Sequence, residues 1–270
     1  MSLARVAVIQ FPGVNCEAES VRALARAGLA GEVYVWTRPA TELRDYQAYV
    51  LPGGFSYQDR VRAGALAAKG PLVDVLAEEA ERGKPVLGIC NGAQVLVEAG
   101  LVPGGNGVEL ALARNRMPDR SGYYAGWVYT RVEPSPCLFT RALAPGSLLP
   151  LPVAHGEGRF TAREPQRVEA LLRAGQVPLR YARGDGASAE EFPANPNGAD
   201  AAAAAVCNRG GNVLAVMPHP ERAQDLVALP PGMTGNWSEA RAAARARGEC
   251  DAPGPGLALF DGLKRHLMEA

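Results

Sequence analysis

Gly88-Ile-Cys-Asn-Gly92 follows an apolar run and precedes a second one, Ala93 to Ala99. Small residues on both sides of a central Cys are what a nucleophile on a sharp strand-to-helix turn requires. The helix start places partial positive charge beneath the sulfur, which favours the thiolate. The backbone N–H of Asn91 then points to where an oxyanion would develop. Glycine spacing alone fits a buried structural thiol equally well. A second string, Met217-Pro-His-Pro-Glu221, decides between them. A His and a Glu two residues apart at a strand end can point the same way. His219 would serve Cys90 as base, and Glu221 would orient His219 and stabilise its cation. The third string, Leu51-Pro-Gly-Gly-Phe55, also follows a strand pattern. Gly53 and Gly54 could bring a second backbone donor beside the Asn91 N–H, although the pattern fits an ordinary glycine turn as well.

These residues need a framework, and the hydropathy pattern predicts one. Compact apolar runs at Arg5–Gln10, Glu32–Trp36, Ala48–Leu51 and Pro85–Ile89 read as strands. Helical spacing over Glu17–Ala27 and Leu72–Glu81 alternates with them, Gly28 and Gly83 marking the stops. Such alternation predicts a parallel sheet with right-handed crossovers. Beyond residue 120 the pattern predicts strands at Trp127–Val132, Val168–Leu172, Val177–Tyr181 and Asn212–Met217. Little helix lies between them, so an antiparallel or mixed extension of the sheet is expected. Leu257–Met268 reads as a closing helix. Two stretches read as loops: Asp185 to Ala205, and Ala223 to Pro255, with a short helix at Glu239–Arg247. No linker composition interrupts the chain, so residues 1–270 are expected to form one domain with 223–255 as an insertion-like segment.

Composition narrows the function classes. In 270 residues, 28 Lys and Arg balance 28 Asp and Glu, which argues against broad nucleic-acid binding. Five Cys without a C-x-x-C pair predict neither a disulfide framework nor a zinc ribbon, and three His leave no His-rich metal site. Cys16, Cys137, Cys207 and Cys250 have no partner pattern and read as packed or idle thiols, and His266 as a surface residue. No run has the length of a membrane span or of a signal peptide's apolar core, so a soluble, reduced, cytoplasmic protein is expected.

Cys90 in its elbow with His219 and Glu221 resembles the class I (triad) glutamine amidotransferases. Longer strings narrow the resemblance: Phe11-Pro-Gly-Val-Asn-Cys16, Leu51-Pro-Gly-Gly-Phe-Ser-Tyr57, Arg62-Ala-Gly-Ala65, Ala154-His-Gly-Glu-Gly-Arg-Phe160, Asn195-Pro-Asn-Gly198, Gly211-Asn-Val-Leu214 and Pro218-His-Pro-Glu-Arg222. In order, and over nearly the whole chain, they are similar to the glutaminase subunits of phosphoribosylformylglycinamidine synthase. The resemblance implies a three-layer, flavodoxin-like α/β fold. It implies a Cys90–His219–Glu221 triad that hydrolyses glutamine, with Gly53, Gly54 and Asn91 around the oxyanion. Gln94 would hold substrate glutamine, or be an ordinary polar residue on a helix face. It also implies a large synthetase subunit that uses ATP and Mg²⁺ to convert formylglycinamide ribonucleotide with the released ammonia, and a small accessory subunit. No Walker-type G-x-x-x-x-G-K-[ST] string occurs, so ATP chemistry belongs to the partner, and no metal or cofactor is expected in this chain.

The chain departs from the family pattern at Gln58, where Gly is expected, at Ala93, where a bulky aromatic is usual, and in the length of 223–255. A γ-glutamyl hydrolase, an amidotransferase serving another synthetase, and a non-catalytic scaffold with the same fold are the competing readings. The family-specific strings oppose the first two, and the intact triad opposes the third. His155, Glu157 and Arg159 are read as a partner-interface or coupling cluster, against a structural turn with a salt bridge. That reading predicts that His155→Ala impairs coupled synthesis more than basal glutamine hydrolysis. Assay of both reactions checks it, and equal loss of both would sink it.

Overall fold

The computed structural model describes residues 3 to 269 except 106 and 165. Nine strands form one sheet. They are β1 (Arg5–Gln10), β2 (Ala30–Val35), β3 (Ala48–Leu51), β4 (Val86–Ile89), β6 (Tyr124–Val132), β7 (Leu148–His155), β9 (Leu179–Ala182), β10 (Ala203–Cys207) and β11 (Val213–Val216), in the order β2-β1-β3-β4-β11-β10-β9-β6-β7. Pairing is parallel from β2 to β11 and antiparallel from β11 to β7. The mostly parallel sheet with an antiparallel extension matches the expectation. A separate antiparallel pair joins β5 (Leu110–Ala113) to β8 (Arg159–Ala162).

Helix α1 (Glu17–Ala27) links β1 to β2, and α2 (Pro71–Glu81) links β3 to β4. The two connections step in opposite directions along the sheet, so right-handed crossovers put α1 and α2 on opposite faces. Helix α3 (Asn91–Glu98) packs against β4 and β11, and its first seven residues are all buried. The closing helix α6 (Leu257–Glu269) packs against α1. β3, β4 and β11 are buried along their whole length, which is why each reads as an unbroken apolar run. No described helix is long and apolar enough to cross a membrane.

Three expectations are corrected. Val168–Leu172 is not a strand but lies in α4 (Gln166–Arg173). Val168 and Leu171, three apart, are buried while Glu169 is exposed, and Ala170, Leu171 and Leu172 are strong helix formers beside one β-branched residue. The predicted 185–205 loop gives way at Ala203 to β10, a fully buried strand made largely of alanine. Alanine carries little β propensity, so burial between two strands decides the conformation. Finally, β7 went unseen because Pro150 and Pro152 interrupt its pattern. It is an edge strand, where a missing N–H breaks no second ladder.

The 223–255 segment carries α5 (Asn236–Ala246), a few residues earlier than the helix predicted at Glu239–Arg247. Trp237 donates its indole N–H to the Leu148 carbonyl on β7 at 2.8 Å, and the Tyr129 hydroxyl accepts the Thr234 N–H at 2.6 Å. The segment thereby lies against the edge hairpin. Leu214, in β11 between β4 and β10, has no exposed surface. Leu214→Ala is expected to cost about 3 kcal/mol, read as a lowered denaturant midpoint with an unchanged slope.

Candidate active site

β4 ends at Ile89 and α3 begins at Asn91, so Cys90 alone makes the turn. Its backbone lies at φ 50°, ψ −103°, outside the regions open to ordinary residues. Space at the turn is limited. A Cβ on Gly92 would collide with the Leu51 carbonyl, and one on Gly88 would come within 2.7 Å of the Gly92 carbonyl. The N–H of Cys90 is held by the Val216 carbonyl at 2.8 Å, and its sulfur lies 3.7 Å from the Ala154 carbonyl. At the start of α3, the Asn91 N–H has no partner within the helix.

His219 follows β11, the strand beside β4. The antiparallel hairpin folds back over these strand ends, and the Pro152 carbonyl accepts the His219 N–H at 2.8 Å. Glu221 Oε1 accepts from His219 Nδ1 at 2.5 Å, and both side chains are buried. This fixes the tautomer and leaves Nε2, buried and unpartnered, for Cys90. Burial opposes the imidazolium. The Glu221 carboxylate, then the neighbouring Cys90 and Cys16 sulfurs, outweigh it and hold His219 well above its usual pKa. The three expected triad residues are thus gathered at one end of the sheet, and the site is enclosed, with Cys90 only 6% exposed.

The Gly53-Gly54 loop runs beside them. A Cβ on Gly53 would lie 2.7 Å from His219 Cε1 and 3.2 Å from Cys16 Sγ, so only glycine fits. The Gly53 carbonyl accepts the N–H groups of Asn15 and Cys16. After it, Tyr57, Gln58 and Asp59 have φ of 53°, 60° and 52°. The Asn91 side chain clamps this run, accepting from the Ser56 N–H at 3.0 Å and donating to Asp59 Oδ1 at 3.2 Å. Gln58, the departure from the family pattern, is exposed and sits in a left-handed conformation that glycine would occupy without strain. Ala93, the other departure, is fully buried inside α3 rather than lining the mouth.

Gln94, expected to hold substrate or to be a polar residue on a helix face, is buried and tied into the site. Its carbonyl accepts from Asn91 Nδ2 at 2.9 Å and its amide donates to the Glu157 carbonyl at 2.7 Å, which leaves one lone pair and one N–H of the amide for a substrate. His155 is not on a surface: it is 3% exposed, with Nδ1 3.1 Å from Asn115 Oδ1. Burial, then the charge of His219, push its pKa down to about 3. The His155 side chain therefore lies in the wall of the site and not on the surface of the chain. Glu157, partly exposed, lies 3.8 Å from Arg114, while Arg159 Nε donates to the Arg114 carbonyl at 3.2 Å.

Two residues escaped the sequence reading. Tyr123 sits half exposed over the mouth, its phenol raised by partial burial and then by the Cys90 charge. No spacing signal marks it. Cys16, expected to be a packed or idle thiol, is packed: it is fully buried, with its sulfur 2.9 Å from Arg222 Nη2, a contact the sequence did not show. Its place in the Phe11–Cys16 string, after a strand at the sheet's C-terminal edge, was the available signal. Among the described residues, Cys16, His219 and Glu221 bring ligand-type atoms within 4.8 Å of one another. The Arg222 guanidinium already supplies a cation there, and Nδ1 is taken by Glu221, so the cluster is poorly suited to a metal.

Asp59 gives a pH test. Burial, then the Glu157 charge, lift its pKa to about 6 against the Asn91 hydrogen bond. Its charged form is disfavoured in the fold, so native stability falls as pH rises from about 4 through about 6. Asp59→Asn is expected to raise the melting temperature at pH 8, with the gain gone near pH 4. Thermal denaturation at both pH values checks this.

Residues 3–251 match the family described as CobB/CobQ-like glutamine amidotransferase domain. A Methanothrix thermoacetophila protein named phosphoribosylformylglycinamidine synthase subunit PurQ is 44% identical, over 98% of each chain. Its Thermomicrobium roseum namesake is 47% identical, over 82% of this chain and 88% of its own. The solved structure titled PurLQS from Thermotoga maritima matches with a TM-score of 0.73 and 30% identity, over 98% of this chain and 100% of that one. A glutamine amidotransferase of Thermotoga maritima, at 15% identity and a TM-score of 0.53, shares the fold. With the strand-end cysteine, the buried His–Glu pair and these relatives in agreement, the chain belongs to the glutamine amidotransferase family of PurQ subunits of phosphoribosylformylglycinamidine synthase.

Proposed function

We propose that the chain is the glutaminase subunit of such a synthase, and that Cys90, His219 and Glu221 are its triad. The observation that carries this reading is the 2.5 Å contact between His219 Nδ1 and Glu221, with Nε2 left unpartnered at the Cys90 elbow. The Cys90 thiolate attacks the side-chain amide carbon of glutamine. Backbone N–H groups of Asn91 and the Gly53-Gly54 loop hold the oxyanion. As the C–N bond breaks, the His219 imidazolium gives its proton to the leaving ammonia, and a glutamyl thioester remains. Water then attacks the thioester, His219 takes its proton, and the C–S bond breaks to release glutamate and restore the thiolate–imidazolium pair.

Ammonia released to solvent at neutral pH is mostly protonated and a poor nucleophile, so its value depends on direct delivery. A structure titled PurLQS contains a chain that this one matches over nearly its full length. That supports delivery to a large synthetase subunit, with a small subunit in the same assembly. In this reading the synthetase holds ATP and Mg²⁺, and this chain carries no metal or cofactor. It works in the cytoplasm as one domain.

The test combines the chain with the large and small subunits, ATP, Mg²⁺, formylglycinamide ribonucleotide and amide-¹⁵N glutamine. Wild type is expected to place label in the amidine product. Cys90→Ala should lose about 10³-fold or more of that transfer while free ammonium still supports synthesis. Label released as free ammonia without amidine, from a synthetase that works with ammonium, would favour a stand-alone γ-glutamyl hydrolase.

A further inference from the structure

Arg222, the last residue of the Pro218–Arg222 string, poses a problem for the site. Its guanidinium follows directly on Glu221, and Nε lies 3.9 Å from the same Oε1 that accepts from His219. An arginine free to close that gap would form a strong charge-assisted contact with the carboxylate. It would compete with His219 for the charge that stabilises the imidazolium. The guanidinium is instead turned to Cys16, with Nη2 2.9 Å from Sγ. The Cys16 thiol donates to Asn15 Oδ1 at 3.3 Å, leaving sulfur lone pairs for Arg222. Cys16 is itself fixed on two sides: its N–H is bonded to the Gly53 carbonyl at 3.2 Å, and its carbonyl accepts the Ser20 hydroxyl at 2.8 Å. The turn carrying Glu221 is fixed as well. Gln224 Nε2 donates to the Glu221 carbonyl at 2.6 Å and to the Glu19 carbonyl at 3.0 Å. The second carboxylate oxygen of Glu221 is buried and has no partner, so the ground for competition is open.

We propose that Cys16 is a positioning residue: its sulfur keeps the Arg222 guanidinium from closing on Glu221, so that the short contact of the carboxylate goes to His219. The proposal rests on the triad reading above and adds to it a residue from the opposite end of the chain. The groups that face His219 are Glu221 and Arg222 on its own turn, Cys90 at the start of α3, Cys16 after β1, His155 at the end of β7 and Tyr123 before β6. Of these, Arg222 is the one whose approach to Glu221 would weaken the imidazolium, and Cys16 is what restrains it.

The experiment is an NMR titration of the imidazoles in the full chain, which has three histidines. His155 and His266 are assigned by single substitution. In Cys16→Ala the His219 midpoint is expected to fall by about half a pH unit or more, because Arg222 shares the carboxylate. Cys16→Ser keeps an acceptor and should stay within about 0.3 unit of wild type. The double variant Cys16→Ala/Arg222→Met should return to the wild-type midpoint or exceed it. If Cys16→Ala does not fold, Cys16→Val carries the same expectation, since it fills the site without a hydrogen-bond acceptor. A folded Ala or Val variant with an unmoved midpoint overturns the proposal. So does a fall that persists in the double variant, because the effect would then arise from packing. No readout involves glutamine or a synthetase, so the proposed function and this inference fail separately.

Discussion

The turn at Cys90 is the constraint on which the remaining architecture depends. A non-glycine residue at φ 50°, ψ −103° persists only where its surroundings over-determine it. Here the surroundings are β4, buried on both sides, and α3, buried through its first seven residues. The helix start needs Gly92 because the Leu51 carbonyl of β3 leaves no room for a Cβ. The strand is held at its last N–H by Val216 of β11. One strained residue therefore ties three adjacent strands to one helix. It also fixes where His219 must emerge, since β11 is the neighbour whose end lies beside it.

A second region of strain adjoins the first. Tyr57, Gln58, Asp59 and Val61 all have positive φ, and Val61 is β-branched. A left-handed run costs about 1 kcal/mol or more per residue. Part of what holds it is Asn91, whose side chain bonds to both Ser56 and Asp59. The residue after the nucleophile thus does two things: its backbone starts the helix, and its amide secures the loop that follows Gly53 and Gly54. Motion in the 57–61 run would be felt at the elbow through this one side chain, and through Gln94 at the turn after His155.

The sequence made the parallel half legible because its strands are buried on both faces and its helices have one apolar stripe. β1, β3, α1 and α2 follow directly from those two patterns. The antiparallel half was harder to read. β7 contains two prolines, β10 begins with three alanines, and α4 presents a short apolar run that fits either period. In each case the deciding term is tertiary: an edge position, burial between neighbours, or one face against the core. The placement of Cys90 and of the His219–Glu221 pair at neighbouring strand ends was legible since both segments follow strong strands. The contacts of Gln94, His155 and Cys16 were not, because each reaches a segment distant in sequence.

Enclosure by the antiparallel hairpin explains why those contacts matter. Pro152 and Ala154 of β7 present carbonyls to His219 and Cys90, and His155 closes the same wall. A carboxylate and an imidazole shielded from water act on each other more strongly than they would at a surface. The same shielding magnifies the effect of any competing charge, and Arg222 is one residue from Glu221. An enclosed His–Glu pair needs the charges around it held in place as firmly as the turn at Cys90. The strings at the two ends of the chain, Phe11–Cys16 and Pro218–Arg222, meet where that requirement is greatest.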